Sequence, residues 1–170
     1  VEPDPKWKKD RPFLVGYVGV MGAQEGIDLL LRSVEDLVVR QGRTDIQFCI
    51  AGGGPSLDDI RSQIEDLGLT EFIDLPGRIS DADLFSMLST ADVCVNPDRV
   101  NAMNDKSTMN KILEYMAFGK PIVQFDVTEG RYSAADASLY AAPNDPMDMA
   151  AKIGDLLADP DKRWFMGRLG

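Results

Sequence analysis

The chain has 170 residues, about the length of one ordinary domain, which predicts a single compact unit and excludes a large multidomain enzyme. Its 18 basic and 28 acidic residues leave a formal net charge of −10, so we expect no nucleic-acid partner, because binding to a phosphate backbone requires a basic face. The absence of histidine removes the most common general base and zinc ligand, so neither a catalytic triad nor a zinc site can be built from its usual parts.

The two cysteines and the apolar runs indicate the cellular compartment. Cys49 and Cys94 lie in apolar runs typical of buried strands, so we interpret them as free core thiols of a reducing compartment. No apolar run reaches the roughly 18 to 20 residues of a membrane span, and the N-terminus lacks the apolar core of a signal peptide. We expect a cytoplasmic protein, at most peripheral to the inner face of a membrane.

The elements follow one another in the pattern of an α/β protein. Residues 1–12 are polar, contain three prolines and are predicted to be a linker or interdomain segment, whereas residues 13–170 form the domain. Within the domain, short β-rich runs alternate with segments of helical period, which predicts a doubly wound parallel sheet with helices on both faces. About six strands are expected, at residues 13–20, 46–52, 71–76, 92–97, 122–126 and 138–141. Helices are expected to begin near residues 26, 57, 80, 107, 146 and 160.

Capping residues support three of these helix starts. Ser80 and Asp83 have the spacing of an N-cap and the third helical residue. Asp145–Pro146 and Asp159–Pro160 each place a capping carboxylate before a proline, which is favoured at the first helical position.

The connection after the fourth strand is the first candidate for a binding loop. In open parallel sheets, ligands bind beyond the carboxyl ends of the strands. Residues 98–106 form a polar connection longer than the roughly 2 to 6 residues that are usual there. This length predicts a loop that binds a ligand rather than one that only joins two elements.

The helix predicted over residues 107–118 begins with a candidate phosphate site. Its first turn offers free backbone N–H groups, two hydroxyls and a neighbouring cation, from Lys106, Ser107, Thr108 and Met109. Glu114 lies about 10 Å further along the helix, within reach of the ribose of a bound nucleotide.

The two faces of this helix differ in polarity. The apolar arc contains Met109, Ile112, Leu113, Met116 and Ala117, and the opposite arc contains Ser107, Lys111 and Glu114. Periodicity alone leaves a second interpretation open, in which the polar arc is only solvated and carries a weak Lys111–Glu114 pair.

Two further motifs are assigned no ligand. Asp81 and Asp83 have the spacing of an Asp-x-Asp metal motif, but they lie at a helix start, where acidic residues interact with the helix dipole. Gly52, Gly53 and Gly54 lack the third glycine of a dinucleotide fingerprint. We therefore expect no metal and no cofactor.

Five blocks, taken in order, resemble the group 1 (family 4) retaining glycosyltransferases of the GT-B fold. They are VGYVGVMGAQEGIDLLLRSV, FCIAGGGP, FIDLPGRISDADLFSML, STADVCVNP and ILEYMAFGKPIV, and the likeness runs from about residue 13 to 157. The resemblance implies a Rossmann-like, nucleotide-sugar-binding C-terminal half, whose N-terminal acceptor domain is absent from this chain.

The resemblance also implies roles for individual residues. Glu114 matches the second glutamate of the family's E-x7-E motif, which accepts hydrogen bonds from the ribose. Arg78 and Ile79 match the turn whose main chain contacts the base, and Gly19 and Gly22 lie in the first loop, where a missing Cβ permits close approach to the ligand. The backbone that contacts the diphosphate matches Ser107, Thr108 and Met109.

Three positions depart from the family pattern. Lys106 replaces the first glutamate of the motif, and Val20 and Glu25 replace the usual arginine and lysine after the first strand. Lys106 is the first candidate to supply the missing positive charge near the phosphates. Weaker candidates for the donor site are Arg99, Lys111 and Arg131.

The function implied is that of a glycosyltransferase donor domain. The full-length enzyme would transfer a sugar from a UDP-, GDP- or ADP-type donor to a glycan, a lipid-linked glycan or a small molecule, whereas the isolated chain would bind donor weakly and catalyse nothing. Two alternatives remain open: a non-catalytic nucleotide-binding or regulatory module, and a purely structural α/β interaction domain.

Overall fold

The computed structural model describes residues 2–100, 110–126, 131 and 134–169. In this part of the chain, six strands form one parallel sheet in the order β3-β2-β1-β4-β5-β6. The strands are β1 (Phe13–Val18), β2 (Ile46–Ala51), β3 (Ile73–Gly77), β4 (Val93–Asn96), β5 (Ile122–Phe125) and β6 (Ser138–Ala141). The strand order reverses between β1 and β4, which is where open α/β sheets form their ligand crevice.

Helices cover both faces of the sheet. In the described residues they are α1 (Ile27–Glu35), continued by a π-helical turn over Asp36–Arg40, α2 (Leu57–Asp66), α3 (Asp81–Thr90), α4 (Asn110–Ala117), α5 (Pro146–Leu157) and α6 (Pro160–Arg168). None of them is long and apolar enough to cross a membrane.

Two apolar layers hold the sheet between its helices. Alternate side chains of β1 point to opposite faces, so Val15 and Tyr17 join the layer under α1, α2 and α5, and Leu14 and Val18 join the layer under α3 and α4. Nearly every residue of the central strands is buried, as expected for a parallel sheet covered on both sides. The predicted Rossmann-like, doubly wound α/β fold is confirmed.

The predicted caps are also confirmed. Ser80 Oγ accepts a hydrogen bond from the Asp83 amide at 3.1 Å. The Asp145 carboxylate accepts from the amides of Met147 and Asp148, and Asp159 caps α6 in the same way. Cys49 and Cys94 are buried free thiols, as expected.

The predicted apolar arc of α4 requires a correction. Leu113 is 54% exposed, whereas Tyr115, which was not assigned to the arc, is fully buried with Ile112. Tyr115 Oη donates to the Val95 carbonyl at 2.9 Å and accepts from the Val18 amide at 3.1 Å. Because both hydrogen-bonding functions of the phenol are satisfied in the core, the helix turns its tyrosine inward and its leucine outward.

The segment before β1 packs against α3. It contains a short 3-10 helix, Pro5–Lys8. Trp7 Nε1 donates to Ser86 Oγ at 3.0 Å, and the Asp4 amide donates to Thr90 Oγ1 at 2.8 Å. Its assignment as an interdomain segment stays a prediction.

Candidate functional site

A cavity of about 500 Å³ opens at the carboxyl ends of β1 and β2. Its wall is formed by the ends of β1 and β2, the loops after β1, β2 and β3, Leu84 of α3 and the first turns of α4. It is lined by Val18, Gly19, Val20, Glu25, Ala51, Gly52, Gly53, Arg78, Ile79, Leu84, Asn110, Lys111 and Glu114. Its size is that of a small-molecule site.

The floor of the cavity is built from glycine backbone. The loops after β1 and β2 continue the strand pairing, since Gly19 N donates to the Ala51 carbonyl and Met21 N donates to the Gly53 carbonyl. A Cβ on Gly52 would lie 1.8 Å from the Gly19 carbonyl oxygen, and Gly52 has a φ of +131°. Only glycine satisfies both conditions, so the glycines predicted not to form a dinucleotide loop instead allow two loops to touch.

Lys111 forms a buried ion pair in the cavity wall. Its Nζ lies 3.0 Å from Asp98 Oδ1, and the two side chains are only 15% and 10% exposed. The same ammonium lies 5.5 Å from the centre of the Tyr17 ring. Lys111 therefore lies against the sheet, contrary to the prediction that it belongs to a face opposite the packed one.

Two buried groups next to Lys111, the Asp98 carboxyl and the Tyr17 phenol, have raised pKa values. Burial raises the pKa of the Asp98 carboxyl above its ordinary value, Lys111 opposes this rise, and the Glu25 carboxylate adds to it. Burial, together with Asp98 and Glu25, also raises the pKa of the Tyr17 phenol. Tyr17 thus stays a neutral donor, and its Oη donates to the Val20 carbonyl at 2.9 Å.

Arg78 and Glu114 lie on separate walls of the cavity and are both exposed. Arg78 follows β3, and its side chain lies against Gly53, where a Cβ would be 3.2 Å from both Arg78 Cγ and Nε. Among the described residues, the Arg78 guanidinium makes no ion pair. Glu114 lies one turn after Lys111 on α4, so the two side chains face the same cavity.

The structure brings five of the sequence-predicted site residues together: Gly19, Arg78, Ile79, Lys111 and Glu114. Gly22 and Arg99 line a smaller depression between α1 and α2. The residues Lys106, Ser107, Thr108 and Met109 fall outside the described part of the chain.

Arg99 and Arg131 are paired elsewhere. Arg99 forms an ion pair with Asp28 and donates to the Ala23 carbonyl. Arg131 donates to Asp126 at 2.8 Å and stacks 4.0 Å from the centre of the Tyr140 ring. Neither side chain lines the cavity, so in this structure neither supplies the positive charge that the sequence suggested for it.

The sequence analysis included Asp98 in the candidate binding loop but gave it no role of its own, and it noted Glu25 only as the loss of a positive charge. Asp98 is the second residue after the end of β4, at the carboxyl edge of the sheet where ligands bind in open α/β folds, and that position is the signal that identifies it. No cluster of three or more potential metal-ligating side chains occurs in the described ranges.

Comparisons with known proteins identify the family. A family model described as glycosyl transferases group 1 matches residues 12–159. The chain is 31% identical over 156 residues to an alpha-D-kanosaminyltransferase of Streptomyces kanamyceticus, covering 91% of this chain and 38% of that protein. It is 30% identical over 170 residues to a GDP-mannose-dependent alpha-(1-6)-phosphatidylinositol monomannoside mannosyltransferase of Mycolicibacterium smegmatis, covering 95% of this chain and 42% of that one.

A solved structure supports the fold. The chain matches a mutant of S. aureus TarM, crystallised with Fondaparinux, alpha-GlcNAc-glycerol and UDP, with a TM-score of 0.79 and 24% identity. The match covers 91% of this chain and 30% of that one. The chain thus spans about two fifths of the length of the curated relatives. The likeness read from the five sequence blocks is confirmed, and the chain belongs to the group 1 glycosyltransferases of the GT-B fold.

Proposed function

We propose that the cavity binds the nucleoside diphosphate of a UDP-, GDP- or ADP-type sugar donor, and that the full-length protein transfers the sugar to a glycan, a lipid-linked glycan or a small molecule. The observation that carries this proposal is the meeting of a glycine floor, two cations and Glu114 at the carboxyl edge of the sheet. The names of the relatives support a glycosyl transfer, and they include a GDP-dependent enzyme and a structure with UDP, so the base stays open.

Each polar group has a role in this proposal. The Glu114 carboxylate accepts hydrogen bonds from the ribose hydroxyls. The turn of Arg78 and Ile79 contacts the base, and Gly19 lets the sugar-phosphate approach the backbone. The predicted amide groups of residues 107–109, which lie outside the described ranges, complete the diphosphate site.

The chemistry is electrostatic in this proposal. Cations and amide groups stabilise the charge that develops on the leaving diphosphate as the glycosidic bond breaks, without a metal. A separate N-terminal acceptor domain supplies the remaining groups, so the chain alone binds donor but does not turn it over. We place the protein in the cytoplasm, with a peripheral membrane contact where the acceptor is lipid-linked.

Calorimetry of the protein with UDP, GDP and ADP tests the binding step. We expect Glu114→Gln to weaken the best-bound nucleotide by about 1 to 3 kcal/mol, or roughly 5- to 150-fold in Kd, because the amide accepts hydrogen bonds from the ribose with one oxygen instead of two and without the negative charge. Glu65→Gln, an exposed glutamate of α2 outside the cavity, is the matched control and should leave Kd unchanged. Equal affinity of wild type and Glu114→Gln would remove Glu114 from the site.

Glu25 favours a second candidate function, a nucleotide-binding module without turnover. Its carboxylate lines the cavity and repels a diphosphate, and Val20 beside it adds no charge. Donor hydrolysis or transfer by the full-length protein would decide for the enzyme, and nucleotide binding without either reaction would decide for the module. A thermal-shift screen without any nucleotide response would leave only a structural role.

A further inference from the structure

Lys111 is a cation that the fold holds in one place. Its side chain is 15% exposed, its Nζ lies 3.0 Å from Asp98 Oδ1, and the ammonium rests 5.5 Å from the Tyr17 ring centre. Arg78, by contrast, is an exposed side chain that follows β3. Within the described residues, Lys111 is therefore the cavity cation whose position is fixed by a buried carboxylate and an aromatic face.

The stem of Lys111 lies against the loop after β1. A Cβ added to Gly19 would be 3.1 Å from Lys111 Cε and 2.8 Å from Tyr17 Oη. The loop itself contributes no cation here, because Val20 is apolar and Glu25 is acidic. Among the described residues, the positive charge at this end of the cavity therefore comes from Lys111 of α4, whose side chain extends towards β1.

We propose that Lys111 binds the diphosphate of the donor, and that Asp98 and Tyr17 position it for that contact. This inference rests on the proposed function, since it assigns the cation of the same site. An ammonium has three N–H donors, and Asp98 accepts one of them at the observed distance, which leaves donors for phosphate oxygens.

Asp98 has a definite task in this arrangement. Burying a charged ammonium without a partner costs free energy, because a low-dielectric surrounding disfavours an isolated charge. The carboxylate offsets that cost before a ligand arrives, and the diphosphate adds a second anionic partner when it binds. Asp98 is thus a positioning residue, and Lys111 is the residue that contacts the ligand.

The test compares a nucleoside diphosphate with its nucleoside, using UDP with uridine and GDP with guanosine. We expect Lys111→Met to weaken diphosphate binding about 10- to 100-fold while the Kd of the nucleoside stays within twofold, because only the diphosphate loses a partner. Lys111→Arg, which keeps the charge, should restore most of the diphosphate affinity.

Two further variants keep the test interpretable. Lys111→Met leaves the Asp98 carboxylate buried and unpaired, so the double variant Lys111→Met/Asp98→Asn removes both charges and should show the same selective loss. Lys152→Met is the matched control, because Lys152 forms a similar 3.1 Å ion pair with Asp148 on α5, away from the cavity. It should leave both affinities unchanged.

The contrary outcomes separate the two proposals. If wild type binds neither nucleoside nor diphosphate, the proposed function fails, and this inference fails with it. If wild type binds both, and Lys111→Met in the folded protein weakens both equally or changes neither, the proposed function stands and the assignment of Lys111 is wrong.

Discussion

At the scale of single residues, the site depends on positions where a side chain has no room. Gly52 lies where the loops after β1 and β2 touch, and the Gly19 carbonyl occupies the place a Cβ would take. The sequence predicted that these glycines do not form a dinucleotide loop, but it gave no sign that they bring two loops together. A contact between residues 33 positions apart becomes visible only when β1 and β2 pair.

Gly52→Ala should therefore be much more damaging than an ordinary glycine replacement. We expect a loss of at least about 3 kcal/mol in unfolding free energy, from backbone strain and the clash with Gly19 together. Gly42→Ala is the control, since Gly42 also has a positive φ but has nothing within 4 Å of its added Cβ. It should cost only about 1 kcal/mol. Urea denaturation of both variants gives the comparison, and similar losses would show that the contact is unimportant.

At the scale of elements, capping and strand patterns were predictable, whereas the rotation of α4 was not. The caps of α3, α5 and α6 are local, so a few adjacent residues determine them. The inward turn of Tyr115 depends on partners 20 and 97 residues away, Val95 and Val18. The ion pair of Lys111 with Asp98 likewise joins residues of different segments, so helical periodicity alone could only place Lys111 opposite the apolar arc.

At the start of α5, the pH dependence of the unfolding free energy can distinguish the contribution of the Asp148 charge from that of its side-chain shape. The Asp148 carboxylate accepts from the Ala142 amide at 2.7 Å and pairs with Lys152, and these contacts lower its pKa. Because the pKa is lower in the folded state, this stabilisation is present above the unfolded pKa of about 3.9 and is lost as the pH falls through the folded value.

Asp148→Asn should therefore cost about 1 kcal/mol of unfolding free energy at neutral pH, and the cost should shrink as the pH falls below about 4. Urea denaturation at several pH values measures this difference. Asp155→Asn, an exposed position on the same helix, is the control and should differ little from wild type at any pH. A cost for Asp148→Asn that does not change with pH would mean that shape rather than charge matters there.

At the scale of the whole molecule, the two thiols lie on either side of the central strand. Cys49 and Cys94 are both in register with Gly16 of β1, one on β2 and one on β4, and both are fully buried. Burial raises the pKa of each thiol to about 12. Since the thiolate is the reactive form, we expect neither side chain to react while the sheet is folded and both thiols are buried.

Thiol labelling should therefore report opening of the entire sheet. We expect native protein to react with a thiol reagent at neutral pH far more slowly than a free cysteine, with both sites labelled at the same rate. Mass spectrometry over time resolves the singly and doubly labelled forms. Fast labelling of one cysteine alone would show that one half of the sheet opens independently.

The close approach of Gly167 to Gly119 has a consequence for any material joined to the end of this chain. A Cβ on Gly167 would lie 2.2 Å from the Gly119 carbonyl oxygen, so α6 rests directly on the turn that ends α4. The turn that ends α4, the helix bearing Lys111 and Glu114, is therefore in direct backbone contact with α6. A tag, a fusion partner or a neighbouring protein that tilts α6 would shift the α4 side of the cavity without touching the cavity itself.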